Sequence, residues 1–355
     1  MKKIFSILII TLIISSIFFS CGKEQPQIIK TNIYDTVFIR DSIFRIDTIF
    51  IVDSIFTTDT IVVIDTVLIN DTSEFDYLFN HYELDSYELL FYTIDKQKSP
   101  YTICRMKSDE LGVEILADGM KIYPVWAEDD NSIYYVDFGK TAVIKKDISN
   151  ASGSEAVMFN IDRNIQFLWY HPVLETFLFS YSLGEDIRIA AYDMNTAQII
   201  ELSETGVREA NPVSSKTDDW IYYSAFKNDT WDIYRKKIDG SQNELVYGDR
   251  SYNFVTFNVS SDGRFLITPK FVNGKGSVVF YDINRQTIIH DLILPVEGHP
   301  LYSSLSDDNK AIFFVNGSPY DYTKPRNIYR MALDKTQLMQ LTHYEDYLAI
   351  RPLIR

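Results

Sequence analysis

Apolar and polar positions recur along this chain with two different periods. Aspartates stand at 35, 41, 47, 53, 59, 65 and 71, and each is followed by Thr or Ser. The first six are followed next by Val or Ile. A step of six residues is a multiple of the two-residue period of a strand. On a helix it advances about 240°, which scatters equivalent positions over three faces. The hexads therefore predict extended chain, with the Asp on one side and the Thr/Ser on the other. The Ile, Val, Thr and Phe between them agree. No Gly or Pro falls between residues 27 and 98, so no tight turn is signalled. One strand over six hexads would reach roughly 120 Å at about 3.3 Å per residue.

Beyond Ser73 the beat lengthens. Aromatic-rich runs begin at Leu89, Ile133, Phe177, Ile221, Phe265 and Ala311, with spacings of 44, 44, 44, 44 and 46 residues. Turn signals precede several of them: Asp129-Asp130-Asn131, Asp218-Asp219, Ser261-Asp262-Gly263 and Asp307-Asp308-Asn309. Further strand candidates follow, such as Ile187–Ala190, Ile233–Lys236, Val278–Tyr281 and Ile328–Met331. Then come a turn and a last polar strand, as in Gln337–Thr342. Four strands in a unit of about 44 residues is the plan of a propeller blade, and six units fill the chain from residue 74 to 355. Pro124, Pro212 and Pro300 lie 88 residues apart, twice the repeat. The terminal Arg-Pro-Leu-Ile-Arg (351–355) repeats the strand around Pro300. It reads as the first strand of a blade whose remainder lies near residues 84–118.

The segments 210–246, 259–268 and 327–342 resemble the WD40-like repeats of the TolB type, in which a Ser-Asp-Gly turn leads into an aliphatic strand and then Ile-Tyr. The resemblance implies an all-β, six-bladed propeller with four-stranded antiparallel blades.

Residues 1–20 read as a secretory signal. Lys2 and Lys3 precede an apolar run from Ile4 to Phe19, too short for a comfortable membrane span, and Ser20 is a small residue before Cys21. The stretch resembles a bacterial lipoprotein signal, which implies that Cys21 carries the lipid and becomes the mature N-terminus. An uncleaved N-terminal anchor is the other reading. Gly22, where Asp would hold a lipoprotein at the inner membrane, leans towards an outer-membrane lipoprotein facing periplasm or cell surface. Residues 21–73 then form a lipid-anchored stalk, with its hexads at 35–72. The Asp-Thr/Ser-Val/Ile units resemble the O-glycosylation sequon of the Bacteroidota. That implies glycans on Thr36, Ser42, Thr48, Ser54, Thr60 and Thr66. An unmodified hexad β-solenoid or multi-chain β-stalk fits the same period.

Charge narrows the partners. The 355 residues carry a formal net charge of −15, which disfavours nucleic acid and anionic lipid because phosphate contacts need clustered Lys/Arg. Cys21 and Cys104 are the two cysteines; Cys104 reads as a buried small hydrophobe.

No catalytic residue, metal or cofactor is assigned. There is no Gly-x-Ser-x-Gly elbow and no phosphate-cradling glycine loop. The histidines, 81, 171, 290, 299 and 343, make no His-x-x-x-His pair. His171 and His299, each followed by Pro, read as surface or turn residues. Asp129, Asp130, Asp307 and Asp308 read as Asx turns rather than calcium ligands. The 24 Tyr and 23 Phe read as blade packing rather than a glycan platform. The expected role is non-catalytic binding of an envelope protein, peptide or glycan. The alternative is a propeller enzyme of lyase or lactonase type, acting on a saccharide at the central funnel.

Overall fold

A computed structural model describes residues 32–39, 42–49, 79–95, 101–110, 112–137, 139, 141–150, 153–248, 256–272, 275–296, 298–317, 321 and 323–355. The chain divides into two units, Met1–Glu74 and Phe75–Arg355. The signal segment, Cys21, Ser54, Thr60 and Thr66 lie outside the described residues.

In the first unit, Asn32–Ile39 and Ser42–Ile49 pair as an antiparallel hairpin. Both are extended chain, as the hexad period predicts, and they lie side by side. The chain reverses between Ile39 and Ser42 without a Gly or Pro. Directly paired positions share a face of a pleated pair. Thr36 is paired with Arg45, and Ser42 with Ile39. Positions 36 and 42 therefore belong to opposite faces of the hairpin, and the expected single row of hydroxyl positions divides between the two.

The second unit is an all-β propeller of six four-stranded antiparallel sheets. Blade 1 joins the two ends of the unit: Tyr347–Ile354 is its inner strand, followed outward by Glu88–Asp95, Tyr101–Lys107 and Val113–Asp118. Blades 2 to 6 follow in chain order. Their inner strands are Lys121–Trp126, Ile165–His171, Arg208–Val213, Asn258–Val259 and His299–Leu305.

Every aromatic run of the long beat is the second strand of a blade. Leu89, Ile133, Phe177, Ile221, Phe265 and Ala311 all lie in this position, and all are fully buried. The reason is geometric. A second strand has an in-register neighbour on each edge and another blade against each face, so both of its faces are apolar. Tyr134, Tyr135, Tyr222, Tyr223, Phe313 and Phe314 are among the largest fully buried side chains. Burying each such ring contributes roughly 1.5–3 kcal/mol. The rings meet across blades: Tyr134 lies edge-on to Phe177 at 4.7 Å between centroids. The aromatic abundance is thus largely blade packing. Cys104 is buried in the same way, and burial raises its thiol pKa to about 12.

The acidic turns work as Asx and Ser turns. In blade 5, Phe265 N donates to Ser260 Oγ at 2.9 Å, and Ser260 Oγ donates to Asp262 Oδ1 at 2.5 Å. In blade 6, Ala311 N donates to Ser306 Oγ at 3.0 Å, and Ser306 Oγ to Asp308 Oδ1 at 2.6 Å. The serine that acts is therefore Ser260, one place before the Ser261 of the sequence motif. Asn131 N donates to Asp129 Oδ1 at 3.0 Å in blade 2.

Two interactions anchor the ring. At the closure, Glu88 N donates to Arg355 O and Arg355 N to Glu88 O, at 3.1 and 3.0 Å, and Arg355 Nε donates to Glu88 Oε2 at 2.7 Å. Between blades 3 and 4, the buried Lys236 ammonium donates to both oxygens of buried Glu209, at 3.2 and 3.1 Å, and to Leu202 O at 2.7 Å. It also lies over the Tyr223 ring, 4.2 Å from the centroid.

Deleting residues 347–355 removes the inner strand of blade 1 and opens the ring. The cooperative thermal transition followed by circular dichroism should be lost; a deletion that melts like the full chain would contradict closure by this strand. Lys236→Met leaves Glu209 buried without its cation and should cost about 3–5 kcal/mol in denaturant unfolding, whereas the Lys236→Met/Glu209→Met pair should recover most of it.

Candidate functional site

The inner strands do not run straight. Pairing with the second strand slips between Ile122 and Val125, Ile165 and Phe167, Ala210 and Val213, Leu301 and Ser304, and Ile350 and Leu353. Each slip is a β-bulge, a device that re-aims side chains. Four bulge residues have left-handed backbone: Tyr123 (φ 52°), Asn211 (53°), Tyr302 (49°) and Arg351 (53°). Tyr123, Asn211 and Arg351 each precede proline, a position that ordinarily favours extended backbone. Strain at these positions is held by the surrounding blades. The proline has no N–H to place in a ladder, so the unpaired residue of a bulge suits it.

The bulges converge on a cavity of about 240 Å³ at the centre of the ring, lined by Tyr123, Gln166, Asn211, Phe257, Tyr302 and Arg351 among others. All six inner-strand segments contribute. The wall is aromatic: Tyr92 and Tyr123 meet edge-on at 5.8 Å, and Tyr123 lies 6.1 Å from Phe167. Hydrogen bonds fix polar groups of the wall. Trp169 Nε1 donates to Ser214 Oγ at 3.1 Å, and Asn258 Nδ2 to Ser304 Oγ at 3.0 Å.

Arg351 is the charged member of this wall. Its side chain is buried, with the guanidinium carbon 3.9 Å from the Phe167 ring centroid and 5.5 Å from that of Trp169. Among the described residues neither terminal nitrogen has a hydrogen-bond partner. Burial lowers its pKa to about 10, against the opposing influence of Tyr92, Tyr123 and Tyr302, so it stays a cation at neutral pH. Burial likewise raises Tyr123 to about 12, leaving the phenol neutral. In the same cavity lining, on the neighbouring inner strand, the buried Ser303 Oγ also lacks a partner. An unpaired buried cation costs several kcal/mol unless something compensates it, and the two rings compensate only in part.

Thr36, Ser42 and Thr48 lie on the hairpin of the first unit, each placed by backbone pairing alone. Arg351 was singled out only as part of the closing strand. The signal available for the site was the X-Pro phase of Tyr123-Pro124, Asn211-Pro212 and Arg351-Pro352. Among the described residues, no group of three or more His, Cys, Asp or Glu is placed to hold a metal ion.

The chain is similar in structure to TolB from Acinetobacter baumannii, with TM-score 0.62 and 16% identity over 76% of this chain and 66% of that one. It is also similar to a TolB-type protein from Agrobacterium tumefaciens, with TM-score 0.56 and 10% identity over 76% and 99%. The fold is that of the TolB-like propellers. An oligogalacturonate lyase in complex with manganese shares it as well, at TM-score 0.52 and 11% identity over 72% and 74%. At these identities the likeness is one of fold. No family model and no curated protein matches the sequence. Within the propeller of this chain, the bulge residues above set the character of the cavity.

His171 departs from the sequence expectation. It is fully buried at the end of the blade 3 inner strand, and neither ring nitrogen has a partner. Burial lowers its pKa to about 4, with Asp219 opposing. His299 is half-buried and stacks on Phe271, 3.4 Å between centroids. A base whose folded pKa lies below its unfolded value near 6.5 destabilises the fold where the unfolded chain is protonated and the folded chain is not. Stability should therefore be lost as pH falls from about 6.5 towards 4, by roughly 3 kcal/mol for this group. Thermal midpoints measured from pH 7 to 4 should fall less steeply in His171→Leu than in the parent; superimposable pH profiles would show that His171 is not the titrating group.

Proposed function

We propose that this chain is a cell-envelope lipoprotein whose propeller is a non-catalytic binding module, held off an outer membrane by lipid on Cys21 and by the hexad stalk. The observation that carries the binding reading is the channel cavity. Its wall combines stacking rings, side-chain amides and hydroxyls with one permanent cation, groups that hold and orient a ligand. A guanidinium protonated at neutral pH and phenols that stay neutral supply contacts rather than a proton acceptor.

The envelope location is supported by the form of residues 1–21 and by the fold shared with TolB proteins. Glycans on Thr36, Ser42, Thr48, Ser54, Thr60 and Thr66 would keep strands from pairing laterally, which a long apolar β-like sequence otherwise invites. The fold shared with oligogalacturonate lyase supports a second reading, a saccharide lyase working at the same funnel.

The protein purified from solubilised membranes of its native host should carry lipid and glycan mass on residues 21–75 and should bring down a protein, peptide or glycan. Bare polypeptide mass removes the modified stalk. Turnover of a polysaccharide fragment with nothing co-purifying replaces the binding module by the enzyme.

A further inference from the structure

We propose that the channel cavity is a site for a small organic carboxylate, held by the guanidinium fork of Arg351 and the hydroxyl of Ser303. The inference rests on the binding-module reading and gives that module a ligand chemistry.

Three observations meet at one place. The first is the pair of buried donors without partners. Nη1 and Nη2 of Arg351 and Oγ of Ser303 all lack hydrogen bonds, in side chains only 5% and 2% exposed. Buried polar groups are almost always paired, so unused donors beside a cavity mark where an acceptor belongs. They also lie on neighbouring inner strands. Ser303 is in His299–Leu305 and Arg351 is in Tyr347–Ile354, and the two strands are tied by Ser304 Oγ donating to Pro352 O at 2.9 Å.

The second is orientation. The Phe167 ring sits 3.9 Å from the guanidinium carbon, so a ring face is stacked against the cation. A ring there leaves the in-plane N–H groups unused, and two parallel in-plane donors match the two oxygens of a carboxylate. The Ser303 hydroxyl, from the neighbouring strand of the same lining, supplies a further donor to an oxygen lone pair.

The third is size and wall chemistry. A dry apolar cavity of about 150 Å³ can hold benzene. The 240 Å³ here leaves room for a six-membered ring or a short side chain together with the carboxylate. Tyr92, Tyr123 and Tyr302 face that volume. Among the described residues no carboxylate pairs with the Arg351 fork, although the chain as a whole is strongly acidic. The countercharge is left for the ligand.

The test is calorimetric titration of the full chain with two carboxylates and their neutral amides: N-acetylphenylalanine against N-acetylphenylalaninamide, and glucuronate against glucuronamide. At least one acid should bind about tenfold or more tighter than its amide, the loss expected of a charge-assisted hydrogen bond. Which acid binds separates a peptide-like source from a uronic-acid source. Arg351→Met should bring acid and amide within about twofold of each other. Ser303→Ala, which takes only a hydroxyl from the wall, should weaken the acid by a few-fold and leave the amide unchanged. The bound acid should also raise the thermal midpoint of the parent and not that of Arg351→Met.

Equal binding of acid and amide, binding of neither, or inorganic phosphate binding in preference to both acids would overturn the carboxylate site. A titration that fails while a native partner still co-purifies overturns this site alone; loss of both removes the binding module with it.

Discussion

Antiparallel pairing of Tyr347–Ile354 with Glu88–Asp95 is the contact on which the propeller depends. Each second strand is apolar on both faces because a blade lies against each of them. That condition holds for all six blades only when the ring is closed. Left open, the ring would expose the flanks of its first and last blades and the edge of Glu88–Asp95. Closure brings together segments more than 250 residues apart in sequence. Its loop entropy is met only once the intervening blades have formed, so it belongs late in folding.

The closing strand also carries the least comfortable residue of the channel. Arg351 combines left-handed backbone before a proline with a buried cation that lacks hydrogen bonds at its fork. Neither feature would survive in a strand free to relax. Here the flanking ladder fixes it on both sides of the bulge: Ile350 pairs with Tyr92 before the slip, and Leu353 with Leu90 after it. Trp126 Nε1 adds a hydrogen bond to Leu353 O at 3.3 Å. A local conflict held in place by a rigid surround is the usual mark of a functional position rather than of a packing one.

The legible and the illegible parts of this molecule differ in how local their causes are. The second strands could be read from the chain because being covered on both faces writes a continuous apolar run, as in Ile133-Tyr134-Tyr135-Val136. Closure could be read because Arg351-Pro352 repeats the inner-strand motif. The reversal between Ile39 and Ser42 could not, since Arg40-Asp41 carries neither of the residues that usually signal a tight turn. His171 was misplaced because burial of a strand end depends on the blade packed over it, not on the Pro172 that follows. The cavity was the least legible of all. Its residues are spread from 92 to 353, and what joins them is a set of register slips that exist only when inner and second strands are paired. Pro124, Pro212 and Pro352 follow the left-handed residues of those slips, whereas Pro300 pairs with Asn316 ahead of the slip in its strand, and a proline in a strand says that a ladder bond is missing without saying which side chain turns inward.

The coincidence of closing strand and unpaired cation gives the cavity a role in the stability of the ring. A charge held without a countercharge in a low-dielectric centre opposes the closed state by its desolvation, and the opposition ends when an anion pairs with it. A ligand that binds only the closed ring stabilises it by mass action, and here it also removes a cost built into the closing strand. The rings of Phe167 and Trp169 against the guanidinium lower that cost. Occupancy and closure are then two readings of one equilibrium. A ligand at the axis would meet a wall to which every blade contributes, the closing strand of blade 1 among them.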